Sequence, residues 1–115
     1  MLNAADNSGA KKLKLIGIPG SNRKVAYIGD LITVVVNGAS STGYVKDHSV
    51  VKAIIVRTKK EYRRKDGSYV RFDDNAAVVV GKDKAMLGTR VFGPVAREIR
   101  DKGYLKVASL AKEVW

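Results

Sequence analysis

VVKAIIVRTKKEYRRKDGSYVRFDDNAAVVV, residues 50–80, is the stretch whose reading decides the fold. Two apolar, β-branched runs, VVKAIIV at Val50–Val56 and NAAVVV at Asn75–Val80, bracket a basic arm around Asp66-Gly67. β-Branched enrichment favours strand over helix for both runs. Asp-Gly is a signal for a two-residue hairpin turn of type I′, because glycine adopts positive φ at no steric cost. Folding at that dipeptide sets Ile55 opposite Val78, Ile54 opposite Val79, Lys60 opposite Asp73, Lys59 opposite Asp74 and Tyr62 opposite Arg71. These are apolar, opposite-charge and cation–π pairs respectively. A bulge would move the register by one residue.

Outward from this hairpin the chain continues as short strands. Leu13 and Leu15 alternate with Lys12 and Lys14, and after a GIPGS break VAYIGDLITVVV at Val25–Val36 reads as strand. NGASSTG at Asn37–Gly43 reads as loop. Near the end Gly93-Pro94 opens VAREIRDKG, with Val95 and Ile99 four apart and Gly103 as a stop, so one short helix is expected there. YLKVASL reads as a last strand and AKEVW as a terminal turn of helix. Many short strands with one or two small helices predict a mainly β fold, a small closed five-stranded barrel with a projecting ribbon at about 57–74 and a C-terminal helical part at about 94–115. At 115 residues, 45% of them hydrophobic, the chain is expected to form a single domain over 1–115.

Charge narrows the function. Twenty-two Lys and Arg against 11 Asp and Glu leave +11, which self-repels until a polyanion neutralises it; nucleic acid is the natural partner and an anionic membrane surface the second. The chain has no cysteine and a single histidine, His48, so thiolate metal sites and disulfides are excluded, and a reducing intracellular compartment fits. The N-terminus MLNAADNSGA has no signal-peptide pattern, and no apolar run approaches the roughly 18 residues that cross a bilayer.

No Walker loop, GxGxxG after a strand or HExxH is present, and no convergent acid–base pair replaces them, so no catalytic residue, metal site or cofactor is expected. His48, in the polar stretch KDHS, reads as a solvated turn residue. Asp73 and Asp74 are neighbours in a strand, hence on opposite faces, and cannot share an ion.

The arm is different. Between Arg57 and Arg71 seven cations, Arg57, Lys59, Lys60, Arg63, Arg64, Lys65 and Arg71, face two acids, a charge of +5. Solvated surfaces mix both signs, whereas this imbalance fits phosphate, whose neutralisation releases counterions. Tyr62, Tyr69 and Phe72 interleave with the cations, either to stack on bases or to stiffen the hairpin. At the N-terminus, Asn7-Ser8-Gly9 suits a tight turn whose amides, with Lys11 and Lys12, would face phosphate; an ordinary turn before the first strand is the plainer reading.

ADNSGAKK at Ala5–Lys12, IGD at Ile28–Asp30, VVKAIIVRTKK at Val50–Lys60, RRKDGSYVRFDDNA at Arg63–Ala76, GTRVFGPVAREIR at Gly88–Arg100 and KVASLAKEV at Lys106–Val114 resemble, in order and spacing, the universal large-subunit ribosomal protein L-fourteen family, bacterial type. The resemblance implies a five-stranded barrel with a projecting ribbon, binding to large-subunit rRNA on the face toward the small subunit, neighbours L-three and L-nineteen, and bridges to small-subunit rRNA. It also implies a docking face for a ribosome-silencing factor, whose positions match Thr89, Arg90 and Lys106. A bacterial cytoplasmic ribosome is favoured over an organellar one. A free-standing nucleic-acid-binding barrel is the alternative function.

Three departures from the family pattern stand out. The chain starts several residues late, which is expected to shorten an edge strand. Val45-Lys46-Asp47-His48-Ser49 replaces Val-Lys-Lys-Gly-Asp and loses a cation. Met86 stands where relatives tend to have proline, and is expected to loosen the loop before the docking positions.

Overall fold

The computed structural model of the chain describes residues 2–6, 9–17, 28–39, 47–63, 67–72, 74–81, 91–101, 104–111 and 114. Five strands close into a barrel in the order β1 (Leu2–Ala4), β2 (Ala10–Gly17), β3 (Leu31–Ala39), β4 (Val50–Arg57) and β7 (Ala76–Val80). β5 (Tyr62–Arg63) and β6 (Tyr69–Val70) form a separate two-stranded ribbon. Two short helices follow, α1 (Glu98–Asp101) and α2 (Leu105–Leu110). The mainly β barrel read from the sequence is the fold observed.

Strand alternation divides the apolar residues into two cores. Leu2, Leu13, Ile32, Val34, Val36, Ala53, Ile55, Ala77 and Val79 fill the barrel interior. Ile54, Val56, Ala76, Val78 and Val80 point outward from β4 and β7 and are covered by Ile28, Val91, Val95, Ala96, Ile99 and Val107. β7 and the second half of β4, Ala53–Val56, are thus buried on both faces, which is why their sequences are continuous apolar runs rather than alternating ones.

The register differs from the expected one by a single residue. Ile54 faces Val78 and Ile55 faces Ala77, not Val79 and Val78, and the ladder shifts before Arg57 faces Ala76. Val56 is the extra residue of this bulge. Its carbonyl accepts the Ala96 N–H at 2.9 Å, so the bulge ties the C-terminal segment to the barrel.

Five other local readings are corrected. The strand expected over Val25–Val36 begins only at Leu31, after a turn at Ile28–Asp30 in which Gly29 has φ +85°; residues 25–27 lie outside the described set. β3 runs on to Ala39, into the expected loop. The helix expected from Val95 is observed over Glu98–Asp101, while Val95 itself takes a parallel bridge to Val114. YLKVASL is helix α2, not strand: Tyr104, Val107, Leu110 and Ala111 recur at helical spacing and all pack on the outer core. AKEVW is no terminal helical turn at Val114, which takes the bridge to Val95.

The three-residue N-terminal strand β1 closes the barrel. Leu2 and Asn3 pair with Leu13 and Lys12 of β2, and Asn3 and Ala4 pair in parallel with Ala76 and Ala77 of β7. The buried Asp6 carboxylate accepts the Val79 N–H at 2.9 Å, fastening the end of this segment.

Candidate nucleic-acid interface

The ribbon leaves the barrel at Thr58. The Phe72 N–H donates to the Thr58 carbonyl at 3.0 Å and the Lys59 N–H to Asn75 Oδ1 at 2.7 Å, pinning the ribbon base. Beyond it the strands shrink to Tyr62 opposite Val70 and Arg63 opposite Tyr69, so Tyr62 does not face Arg71 as expected. The turn expected at Asp66-Gly67 falls in part on residues 64–66, which lie outside the described set. Gly67 has φ +89°, as the Asp-Gly reading requires, and no atom lies within 4 Å of where its Cβ would be. Lys59, Lys60 and Arg71 are exposed; Arg64, Lys65, Asp66 and Asp73, and the side chains of Tyr62 and Arg63, lie outside the described set. Tyr69 is 62% exposed and Phe72 packs against the outer core, so only the first of these two rings is presented to solvent.

Arg57 has a different place from the other arm cations. It is 9% exposed. Nε donates to Asp74 Oδ1 at 2.6 Å and Nη2 to Asp74 Oδ2 at 3.3 Å, while Nη1 donates to the carbonyls of Phe92 at 2.8 Å and Pro94 at 3.1 Å. The Lys59–Asp74 pair expected from the sequence is therefore replaced by Arg57–Asp74, a consequence of the bulge that precedes Arg57. Asn3 Nδ2 donates to Asp74 Oδ2 at 2.8 Å, and Lys12 Nζ donates to Asn3 Oδ1. The Arg57 hydrogen bond is the main cause that holds the Asp74 carboxyl below its ordinary range; partial burial opposes it, and Asn3 and the Lys12 charge assist. This network joins β1, β2, the approach to β7 and the segment at 92–94. Asn3 and Asp74 were not legible as its members, since their only signal is adjacency in the closed barrel.

At the N-terminal turn, Gly9 has φ +102°, consistent with a tight turn, while Asn7 and Ser8 lie outside the described residues. Lys11 and Lys12 are both exposed. As neighbours on β2 they point to opposite faces, and it is Lys14 that shares the side of Lys12. His48 is an exposed turn residue with φ +61° and Nε2 3.5 Å from Asp47 Oδ2, as read from the sequence. Asp47 Oδ1 accepts the Gly38 N–H at 2.8 Å, tying the Asp47-His48 turn to the end of β3.

Thr89, Arg90 and Met86 lie outside the described residues, as does the side chain of Lys106, whose backbone belongs to α2 rather than to a late strand. The segment following Arg90 is described: Val91 bridges Asp6, the Phe92 N–H donates to the Ala5 carbonyl at 2.6 Å, and Gly93 has φ +77°. A Cβ on Gly93 would lie 2.7 Å from Arg57 Nη1. Among the described residues no group of three His, Cys, Asp or Glu could hold a metal ion, and no helix is long and apolar enough to cross a membrane.

The family model of ribosomal protein L14p/L23e matches residues 1–115. The chain is 58% identical over 113 residues to the large ribosomal subunit protein uL14 of Aquifex aeolicus (strain VF5), covering 98% of this chain and 93% of that one. It is 57% identical over 115 residues to the protein of the same name from Petrotoga mobilis (strain DSM 10674 / SJ95), covering 99% and 94%.

Proposed function

The chain belongs to the ribosomal protein L14p/L23e family, and from that premise we propose that it is a structural, non-enzymatic constituent of the large subunit of a bacterial cytoplasmic ribosome. It binds large-subunit rRNA. The observation that supports this reading best is the ribbon: a two-stranded sheet outside the barrel, contributing little to either core, that carries exposed Lys59, Lys60 and Arg71 and, in sequence, Arg63, Arg64 and Lys65. A ribbon that the barrel does not need for its stability is free to lie along an RNA groove.

The proposed rRNA-contact set comprises Lys59, Lys60, Arg63, Arg64, Lys65 and Arg71 of the ribbon and Asn7, Ser8, Lys11 and Lys12 of the N-terminal turn. Arg57 supports the set from beneath. Its guanidinium has four hydrogen bonds inside the protein, and we assign it to holding the base of the ribbon rather than to phosphate. The domain as a whole, 1–115, acts as one unit that lies beside L-three and L-nineteen and contributes to bridges with small-subunit rRNA. Thr89, Arg90 and Lys106 offer the docking face for a ribosome-silencing factor.

The test is charge reversal of Arg63 and Arg64 together. The barrel is expected to stay folded, because Arg63 lies on the two-stranded ribbon and not on a barrel strand, while the variant sediments with large subunits less completely than wild type at elevated salt. Equal retention would remove the ribbon tip from the RNA-binding surface.

A further inference from the structure

The outward face of β2, β3 and β4 is chemically unlike the ribbon. Lys14 pairs laterally with Val35, and Val35 with Val50; one step along, Gly17 pairs with Thr33, and Thr33 with Lys52. Ile16 sits at the register shift between the two rows. Their strand neighbours Leu13, Val34 and Ala53 fill the barrel, so these side chains point away from it. Val50 is 62% exposed and Ile16 52%, and Lys14 and Lys52 are exposed as well. An aliphatic centre is thus framed by lysines. None of the three strands contains an acidic residue.

We propose that this face docks an amphipathic helical segment of another protein, one whose aliphatic stripe is edged by Asp or Glu. A solvated lysine face has no need of protruding Val50 and Ile16, and a contiguous apolar centre with a charged rim is the anatomy of a protein interface. Phosphate binding would explain the lysines but leave the aliphatic row without a role, and among the described residues β2, β3 and Val50–Lys52 carry none of the arginine or aromatic groups that accompany RNA on the ribbon. A second copy of this chain is excluded as the occupant, because a two-fold contact would set lysine against lysine. Size selects the form of the partner. Two strand spacings make the face about 10 Å wide, the diameter of one helix. Because the barrel is closed, β3 has both its neighbours, and the contact is made by side chains rather than by strand addition. Asp47, which precedes β4, is engaged with the Gly38 N–H and His48.

Two measurements test the proposal, and the first does not depend on the ribosomal reading. The full chain, labelled with nitrogen-15, is titrated with a designed helix carrying a Leu/Ile stripe edged by Glu, with its Lys-edged twin, and with a single-stranded RNA oligomer. The Glu-edged helix is expected to shift the amides of Val35, Val50 and Lys52, and Lys14→Glu with Lys52→Glu to raise its Kd at least tenfold; the milder Lys→Gln pair serves if the reversal disturbs the spectrum. Equal binding of both helices, or movement of these amides by RNA and not by the helix, overturns the proposal. The second measurement places a photo-reactive phenylalanine at Val50 in large subunits. A cross-link to an acidic protein segment supports docking, whereas a cross-link to rRNA alone, or none, overturns it. Absence of the chain from the subunits would count against its ribosomal role and leave the titration to decide.

Discussion

Arg57→Met keeps much of the apolar stem and removes only the guanidinium, so it isolates the clamp beneath the ribbon. In wild type that group makes two bonds to Asp74 and one each to the Phe92 and Pro94 carbonyls. Breaking a fully buried ion pair costs about 3–5 kcal/mol. Here the Asp74 side chain is 33% exposed and keeps Asn3 as a donor, so its share is discounted toward about 1–2 kcal/mol. The two carbonyls belong to exposed Phe92 and half-buried Pro94, and their part-buried bonds add about 0.5–1 kcal/mol each. The variant is therefore expected to lose about 2–4 kcal/mol, read as a lower urea midpoint with unchanged m-value. Thermal unfolding followed by far-UV circular dichroism should fall by roughly 10 °C or more for a domain of this size. Exposed Arg71→Met should stay within about 0.5 kcal/mol of wild type. A loss from Arg57→Met no larger than that from Arg71→Met would refute the assignment of Arg57 to the internal clamp and return it to the RNA-contacting set.

The same network makes further predictions. Gly93→Ala meets both a positive φ of +77° and the Arg57 guanidinium at 2.7 Å, so it should cost at least about 1–3 kcal/mol in urea denaturation; a neutral result would mean that the 92–94 turn relaxes freely. The Asp74 carboxyl has a folded pKa depressed below 3.8, so its contribution is present above the unfolded value and disappears as pH falls through the lower folded value. Asp74→Asn should accordingly flatten the acid limb of stability below about pH 4, and an unchanged limb would place the acid sensitivity elsewhere. In RNA binding, Arg71→Met should lower the slope of log K against log salt by about one while Arg57→Met leaves it unchanged; a loss of slope from Arg57→Met would contradict its inward placement.

The barrel was legible because its most buried strands state their environment directly: Ala53–Val56 and Ala76–Val80 are apolar without a break, and Asp-Gly between them announces a reversal. What failed was local and decided from far along the chain. The bulge at Val56 exists where its carbonyl meets the Ala96 N–H, a partner that no reading of residues 50–80 contains, and it shifted the paired residues by one. YLKVASL satisfies both a two-residue alternation and a helical spacing, and packing of Val107 and Leu110 on the outer core chose the helix. β1 carries little strand propensity in Leu2–Ala4; it is a strand because β2 and β7 leave one gap that only it closes. Within the candidate interface, exposure of Lys59, Lys60 and Arg71 agreed with the sequence, but counting charge could not show that Arg57 is satisfied internally.

That last difference sharpens what the arm's charge means. Of the +5 counted between Arg57 and Arg71, one unit is neutralised by Asp74, which lies outside the counted stretch, leaving +4 for the ribbon proper. The cations thus divide by geometry. Arg57 sits at the end of a doubly buried strand, where a planar group with five donors can satisfy a carboxylate and two carbonyls at once, a task a lysine ammonium cannot fit as well. Beyond Thr58 the described cations of the ribbon, Lys59, Lys60 and Arg71, are exposed. Fixing the ribbon base through Arg57, Asn75 and Thr58 lowers the entropy cost of presenting those charges. Stability and RNA affinity can then be altered separately, by substitutions only a few residues apart.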